Sequence, residues 1–386
     1  MAEPLVEPWY FRRPALAAHL LTLLLDGPGD PLALVGERRI GKTSHLLLEV
    51  LPAARARGLL GVYVDIFQHR SDPLAAINYA LQEAIDDLIV PASAPGRRLK
   101  TAVKKVGAAS FSLELGDEPV RRRPEDPFLL VDWLLKTLLR AARRPVLLVF
   151  DEIQELATAA HGEPVISALR SAITKSRSQV RVIFTGSSQG KLLELFSRSR
   201  AALYEGASTL PFPHLGADFI AFMAAQCRQR FRKRMPAHEL ASAFERLQRQ
   251  PRALIDLVLL HASGDAEELA DTLEAHVQAQ LTGGRYEALW VQLKPLQQRI
   301  CERVARGDDV TSLAARQAYA NGSDRAQTPP GTVHDALRTL LATQVLNKGA
   351  GGRGAYRIDD PLFALWLQQP RTPGAQRRAS RAHRGG

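Results

Sequence analysis

Short, continuous apolar runs alternate with longer amphipathic stretches through the first half of the chain. Helical periods, as at 75–88 and 128–143, separate the runs. Strands that alternate with helices in this way indicate an α/β fold with right-handed crossovers, a parallel sheet, and ligands at the carboxyl ends of the strands. Four of the apolar runs predict buried strands, and they extend from Leu32 to Val35, Leu60 to Phe67, Val146 to Phe150 and Val180 to Phe184.

The first run leads into the segment GERRIGKT (36–43), which fits the pattern G-x-x-x-x-G-K-[ST]. Its two glycines let backbone N–H groups converge on an anion, and a helix start near residue 44 adds partial positive charge. Lys42 is expected to reach the outer phosphates and Thr43 to offer a hydroxyl to Mg²⁺. A glycine-rich turn without a ligand is the alternative. The predicted nucleotide-binding residues are Gly36, Arg38, Arg39, Ile40, Gly41, Lys42, Thr43 and Ser44.

Two acidic residues, Asp151 and Glu152, end the third apolar run. In such a position one carboxylate can hold the Mg²⁺ shell while the next orients and polarises the attacking water. We therefore predict a metal site at Thr43 and Asp151, and catalytic roles for Glu152 and Lys42. The alternative is a strand-end cap that faces solvent.

The fourth run ends in Thr185-Gly186-Ser187-Ser188, which should emerge at the same rim of the sheet. One of these hydroxyls could hydrogen-bond the γ-phosphate or the attacking water, and Ser187 is assigned that catalytic role as a sensor of nucleotide state. Serine-rich turns also occur without any such role.

The chain changes character at Gly216, after which it is almost wholly helical by period. In the predicted lid, Gln250-Pro251-Arg252 opens an apolar helix. Arg252 either reaches the nucleotide or remains an exposed helix charge. The predicted organisation is an N-terminal segment 1–28, an ATPase core 29–215 with a basic excursion 91–126 and a small strand at 111–115, a helical lid 216–285, a winged-helix domain 286–369 and a basic disordered tail 370–386.

The last domain has a winged-helix pattern. Helices are predicted from Leu293 to Arg306, from Thr311 to Tyr319 and from Thr332 to Thr343, followed by two short strands around a glycine-rich turn. In such modules the third helix enters the DNA major groove and the wing touches phosphate. A protein-contact or autoinhibitory module is the alternative. The candidate DNA contacts are Thr332, His334, Arg338, Lys348 and Arg353.

Charge and composition indicate which classes of partner and which environment to expect. The formal net charge of +11, concentrated in the excursion and the tail, favours an anionic partner such as nucleic acid. The tail is read either as a solubilising end or as a phosphate-contacting arm. The two cysteines, Cys227 and Cys301, lack disulfide or zinc spacing, and no apolar run approaches the ~20 residues of a membrane span. A cytoplasmic protein without a membrane partner is expected.

Four segments together resemble the archaeal-type ATPase family: GERRIGKTS, VLLVFDE, VIFTGSS and AYRIDDPLFALWL (355–367). That family lies in the AAA+/STAND branch of P-loop NTPases. The resemblance covers roughly residues 10 to 368, and the D-P-L-F-x-x-W ending is its most specific part. It implies a five-stranded parallel core with the loop strand central, a helical lid, a C-terminal winged helix, and ATP and Mg²⁺ as ligands. Matched to the family motifs, Lys42 and Thr43 bind phosphate and magnesium, Asp151 and Glu152 form the acid pair, and Ser187 is the sensor.

Three positions depart from the family pattern. Phe11-Arg12-Arg13-Pro14 stands where members have F-x-G-R, and Arg249 stands where a glycine precedes the lid proline by two. The segment Leu203-Tyr204-Glu205-Gly206 lacks the arginine of the family's L-Y-G-R. An arginine finger acting in trans is therefore not identified, and Arg198 or Arg200 is the hypothesised replacement.

Two functions follow as hypotheses. The first is an ATP-hydrolysing molecular switch that cycles between ATP and ADP, is slow unless stimulated or assembled as a homo-oligomer, and acts on DNA or a DNA-bound partner through its winged helix. The alternative is a nucleotide-gated scaffold or regulator of a protein effector such as a nuclease, toxin or transposase, with the winged helix as a docking surface. A small-molecule phosphotransferase is disfavoured, because the acid pair suits water activation.

Overall fold

The computed structural model describes residues 8–69, 71–89, 122–157, 159, 161–186, 192, 195, 207–264, 266–282, 284–320, 326–348 and 355–369. Contacts divide the chain into two units. The first comprises Met1–Gly36 and Gly41–Pro213, and the second comprises Glu37–Ile40 and His214–Gly386. Most of the excursion at 91–126, including the strand expected at 111–115, lies outside the described residues, as does the tail.

A five-stranded parallel sheet forms the centre of the first unit, in the order β2-β3-β4-β1-β5. This confirms the predicted α/β fold with a parallel sheet. The loop strand β1 lies inside the sheet, but β4 occupies the middle, so the expectation of a central loop strand was wrong. Both β2 and β3 lie beyond β4, whereas only β5 flanks β1 on its other side. The strands are β1 (Leu32–Val35), β2 (Leu60–Asp65), β3 (Val146–Asp151), β4 (Val180–Gly186) and β5 (Ser208–Pro211).

Two strand predictions differ from the structure. Strand β2 ends at Asp65 rather than Phe67, because the Asp65 carboxylate accepts a hydrogen bond from the Phe67 amide at 2.8 Å and the chain turns into the 3₁₀ helix Ile66–His69. Strand β5 was not predicted from its pattern. It is largely exposed and ends in Pro211, as suits an edge strand.

Helices cover both faces of the sheet, and the strand side chains alternate between two apolar cores. Leu148 and Phe150 belong to the core beneath α4–α6, whereas Leu147 and Val149 belong to the core beneath α1–α3. This double burial explains the continuous apolar strands. The helices are α1 (Pro14–Asp26), α2 (Lys42–His45), which continues through the π-helical turn Leu46–Val50 into α3 (Leu51–Ala56), α4 (Pro73–Ile89), α5 (Pro127–Ala142) and α6 (Gly162–Lys175).

Where the structure describes it, the second unit consists of helices and one antiparallel ribbon, β6 (Leu346–Lys348) with β7 (Tyr356–Ile358). The three helices expected directly before the ribbon are present in the described residues, and the winged-helix assignment stays a prediction. The third of them begins at Pro330 rather than Thr332, because Pro330 occupies the first helical position. The helices are α7 (Ala217–Phe231), α8 (Ala237–Arg246), α9 (Pro251–Ser263), α10 (Leu269–Thr282), α11 (Arg285–Gln292), α12 (Pro295–Arg306), α13 (Leu313–Ala320), α14 (Pro330–Ala342) and α15 (Pro361–Gln368).

The D-P-L-F-x-x-W segment organises the end of the second unit. Asp360 caps α15 by accepting the Leu362 amide at 3.0 Å, and it also accepts the Tyr286 hydroxyl at 3.0 Å. Phe363 and Trp366 then pack with Tyr286 in a buried aromatic cluster. The motif therefore has a structural role in starting α15 and filling this core. Within the described parts of the chain, no helix is both long and apolar enough to cross a bilayer.

Candidate active site

The glycine-rich loop leaves β1 at Gly36 and ends where α2 begins. Arg39 and Gly41 both have left-handed backbone conformations, with φ values of 63° and 94°. Alternation of this kind turns successive N–H groups toward one point and forms an anion-binding concavity. A side chain at position 41 would be strained, so the loop requires glycine there. The segment has the backbone expected of a phosphate-binding loop.

Lys42 is the first residue of α2, and its side chain is only 5% exposed. Its ammonium group donates a hydrogen bond to the Gly36 carbonyl at 2.7 Å, which holds it across the loop. Ile40 is buried, whereas Thr43 and Ser44 are exposed at the start of the helix. The charge of Lys42 is therefore held where the helix N-terminus adds its own positive potential.

Asp151 lies at the carboxyl end of β3 and is 3% exposed. Its Oδ2 atom accepts hydrogen bonds from the Thr43 hydroxyl at 2.6 Å and from the Tyr63 hydroxyl at 2.7 Å. Its Oδ1 atom accepts one from Thr185. The structure thus brings together the two predicted metal residues, Thr43 and Asp151, at the rim where β2, β3 and β4 end.

Glu152 follows directly and has a left-handed backbone with φ of 56°. For a residue other than glycine this conformation is uncommon and has a conformational cost. The Glu152 amide donates to the Thr185 hydroxyl at 3.2 Å, and its carboxylate accepts a hydrogen bond from the Gln154 side chain. Both acids of the predicted pair are therefore held by neighbouring polar groups.

Thr185 is the described hydroxyl of the β4 end that contacts the acid pair. The predicted sensor Ser187 lies outside the described residues, so its role stays a prediction. Gly186 is needed here, because a Cβ atom at this position would lie 2.6 Å from Oε1 of Gln154. The close approach of Gln154 to β4 helps explain how its amide reaches Glu152.

The N-terminal segment reaches the loop helix. Glu49 accepts the Tyr10 hydroxyl at 2.5 Å and the Arg13 amide at 2.8 Å. Burial, together with the Glu49 carboxylate, raises the pKa of Tyr10 above its usual range. The Arg13 guanidinium stacks over Phe212 and is the nearest group to a side chain that would be added at Gly41. Although the N-terminal segment departs from the family motif, it still places an arginine, Arg13, beside the loop.

Sequence reasoning assigned no role to Tyr63. Burial raises the pKa of the Tyr63 hydroxyl above its usual range, and the neighbouring Asp151 carboxylate raises it further, so this group remains a donor at neutral pH. The one signal in the sequence was a hydroxyl two residues before the end of a strand that stops at Asp65. Gln154 was missed as well, and its role follows from the turn after β3.

Other predicted site residues make contacts elsewhere. The side chain of Arg39 pairs with Asp359, with Nη2 3.3 Å from Oδ2. Arg252 pairs with Asp256 of the same helix at 2.9 Å, and both side chains are exposed, so its contact with nucleotide stays a prediction. The finger candidates Arg198 and Arg200 lie outside the described residues.

The predicted DNA contacts lie on or after α14. Thr332, His334 and Arg338 are exposed on this helix, and Arg338 pairs with Asp335 at 2.8 Å. The Lys348 side chain and all of Arg353 lie outside the described residues. The DNA-binding assignment therefore stays a prediction.

The residues at the rim fit a magnesium ion. A hydroxyl and a carboxylate are the hard oxygen donors that Mg²⁺ prefers, and this ion is commonly held by one or two carboxylates together with substrate phosphates. Thr43 donates its proton to Asp151 and so keeps oxygen lone pairs available on an exposed side chain. We infer that Thr43 and Asp151 would hold the ion.

A phosphate loop after a parallel strand, with its threonine bonded to the acid of another strand, defines a P-loop ATPase. A family model described as an ATPase domain predominantly from Archaea matches residues 12–257. The chain belongs to this family, and the protein is an ATPase.

Solved structures show the same fold. A Walker-type ATPase of Pyrococcus abyssi is similar with a TM-score of 0.59 and 20% identity, over 93% of this chain and 96% of that one. The Aeropyrum pernix ORC2 protein, solved in ADPNP–ADP complexes, is similar with a TM-score of 0.52 and 16% identity, over 96% of this chain and 93% of that one. The sequence matches no curated protein.

Proposed function

We propose that this ATPase is a magnesium-dependent molecular switch that acts on DNA or on a DNA-bound partner through its C-terminal domain. The observation that carries the proposal is a set of ion pairs between the phosphate-loop residues 37 and 39 and the strand end at 357–359. A switch needs contacts that differ between its nucleotide states, and these pairs link the loop to the residues that lead into α15.

The hydrolytic roles follow from the rim of the sheet. Lys42 binds the outer phosphate oxygens, and Glu152 orients the attacking water and accepts its proton. Bound magnesium would neutralise charge on the phosphate oxygens, held there by Thr43 and Asp151. The ORC2 protein of Aeropyrum pernix was solved with ADPNP and ADP, which supports an adenine nucleotide as the ligand of this loop.

The ion pairs join the variable positions of the loop to the YRIDD segment. Glu37 pairs with Arg357, and their side chains are 12% and 18% exposed. Arg39 contacts both the carboxylate and the carbonyl of Asp359, at 3.3 and 3.4 Å. Glu37 and Arg39 alternate along the loop with residues whose backbone amides would face the phosphate. A change in the conformation of the loop on nucleotide binding would therefore alter both ion pairs.

The same strand end is tied to the predicted lid and to the ribbon. Gln250 donates its side-chain amide to the Asp359 carbonyl at 3.0 Å, and Asn347 of β6 donates to the Asp359 carboxylate at 3.0 Å. Asp359 is 4% exposed, so these bonds are shielded from water. A displacement of Asp359 would therefore alter its hydrogen bonds to Gln250, which precedes α9, and to Asn347 of the ribbon.

The charge of the chain supports an anionic partner. Its net charge is +11, and the last residues carry several arginines without one acid. Such an excess gives a salt-dependent attraction to nucleic acid. We propose that DNA, or a protein bound to it, is the partner of the C-terminal domain.

A specific observation favours the alternative of a protein partner. On the described face of α14, the charges of Arg338 and Asp335 are paired with each other, which leaves little net attraction for phosphate. A neutral, polar helix face suits docking to a protein effector such as a nuclease, toxin or transposase. In that case the nucleotide would gate the docking, and the DNA affinity would be incidental.

One experiment separates these functions. ATP turnover and particle size are measured for the wild-type protein with and without DNA. The proposal predicts a DNA-stimulated rate and a nucleotide-dependent change in size. Reversing the charges of Arg338, Lys348 and Arg353 should abolish salt-dependent DNA binding, whereas indifference to these changes favours the protein-docking function.

The switch itself is tested by nucleotide affinity. Glu37→Gln and Arg357→Gln break the same ion pair from its two ends, so both should change the ATP affinity in the same direction and by a similar factor. Arg246→Gln, which removes an exposed ion pair with Glu274, is the control and should leave the affinity unchanged. An ATP affinity that responds to Glu37→Gln but not to Arg357→Gln would contradict coupling through this pair.

A further inference from the structure

We propose that Tyr63 is a positioning residue for the magnesium site, and that its hydroxyl fixes the orientation of the Asp151 carboxylate. This inference rests on the proposed role of magnesium. Tyr63 does not itself contact the ion or the nucleotide in this proposal. It acts through Asp151, whose Oδ2 atom lies 2.7 Å from the Tyr63 hydroxyl.

The register of the sheet explains why a tyrosine at this position reaches the acid. Strands β2 and β3 pair Tyr63 with Val149 and Asp65 with Asp151. Residues two apart on a strand share a face, so Tyr63 stands on the same face as Asp151, two positions before the rim. Two residues cover about 6.6 Å along a strand, a distance that a phenol side chain spans. The hydroxyl therefore arrives at the level of the carboxylate.

Packing holds the ring in place. Tyr63 packs against the apolar core beneath α1–α3, which includes the buried residues Leu147 and Val149. The ring is therefore fixed by the sheet, while its hydroxyl extends to the polar rim. Thr43, the other donor to the same oxygen, belongs instead to the loop helix that carries the nucleotide-binding residues. Of the two described donors to Oδ2, Tyr63 is the one that lies outside the loop.

The hydrogen bonds to Asp151 show what the tyrosine contributes. Among the described residues, three hydroxyls donate to this carboxylate, two to Oδ2 and one, from Thr185, to Oδ1. Donors on both oxygens prevent the carboxylate from rotating about its Cβ–Cγ bond. Without Tyr63, Oδ2 would keep only the bond from Thr43 among its described donors, and the Thr43 oxygen is also the proposed metal ligand. Because Mg²⁺ demands nearly ideal octahedral geometry, a loosened carboxylate binds it less well.

The test is Tyr63→Phe, which removes the hydroxyl and keeps the ring. The exposed Tyr79 on α4 provides the matched control, Tyr79→Phe. The magnesium concentration that gives half-maximal ATP turnover should rise about 10- to 100-fold in Tyr63→Phe, as expected when a group that supports a metal ligand is lost. Turnover at saturating magnesium should approach that of the wild-type protein, and Tyr79→Phe should change neither quantity.

A binding measurement gives a second readout. The affinity for a fluorescent ATP analogue in EDTA should be the same in wild type and Tyr63→Phe, because Lys42 and the loop remain intact. With limiting magnesium, the wild-type protein should bind the analogue more tightly than the variant. Tyr63→Met, a second apolar replacement of comparable length, should show the same shift in magnesium dependence.

Two results would overturn the inference. One is an unchanged half-saturating magnesium concentration in Tyr63→Phe. The other is a turnover that falls at every magnesium concentration without such a shift, which would indicate a structural role alone. Failure of the proposed function is recognised separately, because the wild-type protein would then show no magnesium dependence at all.

Discussion

The ion pair between Glu37 and Arg357 makes a quantitative prediction about stability. Both side chains are largely withdrawn from water, at 12% and 18% exposed. Burial lowers the pKa of the Arg357 guanidinium, whereas the Glu37 and Asp359 carboxylates oppose this effect. Removing Glu37 would leave Arg357 partly buried with weaker compensation, and the reverse holds for removing Arg357.

The expected magnitudes follow from this burial. Breaking a buried pair by removing one partner costs about 3–5 kcal/mol. Glu37→Gln and Arg357→Gln should each lower the free energy of unfolding by about 3 kcal/mol, the low end of that range, because Asp359 and His214 remain near the two charges. The double variant leaves neither charge unpaired, so it should also lose only about 3 kcal/mol, whereas additive effects would give about 6.

The assay is urea unfolding followed by tryptophan fluorescence, to which Trp290 and Trp366 of the second unit contribute. The exposed pair of Arg252 and Asp256 is the control, and its coupling free energy should be only about 0.3–0.5 kcal/mol. If the effects of the single variants at Glu37 and Arg357 simply add, the two charges do not interact and the predicted coupling is absent. Such a result would also remove the main support for a switch that runs through the loop.

Three further predictions concern other parts of the chain. Thr185→Val removes a hydroxyl that bonds both acids of the pair, so ATP turnover should fall about 10- to 100-fold, with ATP affinity in EDTA retained as the control. Phe363→Ala empties a fully buried position and should cost about 3–5 kcal/mol of unfolding free energy in urea, and a loss below about 1 kcal/mol would contradict the packing. Burial lowers the pKa of His261, so below about pH 6.5 the unfolded chain binds a proton that the folded protein does not. As the pH is lowered through this range, the free energy of unfolding should therefore fall by up to about 1.4 kcal/mol per pH unit. His261→Gln should flatten this pH dependence relative to wild type, and an unchanged slope in this variant would contradict the prediction.

The sequence predicted the sheet core because each buried strand is a continuous apolar run. Strand β3, for example, is buried at every position from Val146 to Asp151, so its pattern needs no knowledge of its neighbours. Strand β5 could not be predicted in this way, because it is an exposed edge strand that ends in a proline and contains no continuous apolar run. The middle position of β4 could not be derived either, because strand order depends on crossovers rather than on local pattern.

The same distinction holds for the site, where local patterns could be predicted and contacts between distant residues could not. The loop and the acid pair are local patterns, and the rule that ligands bind at the carboxyl ends of parallel strands was enough to expect Thr43 near Asp151. The bond from Tyr63 to Asp151 depends on the register of two strands, which the sequence does not state. The pair between Glu37 and Arg357 joins residues that are far apart in the chain, and only the folded second unit brings them together.

We propose that a triphosphate bound by the loop at Lys42 is hydrolysed with the help of the acid pair. The most direct test of this proposal is ATP binding and single-turnover hydrolysis, with and without magnesium, by the wild-type protein and Glu152→Gln. We expect magnesium-dependent ATP binding by both proteins, with hydrolysis at least about 100-fold slower in the variant. Wild-type protein that shows no magnesium-dependent affinity for adenine nucleotides, or a variant that hydrolyses ATP at the wild-type rate, would contradict it.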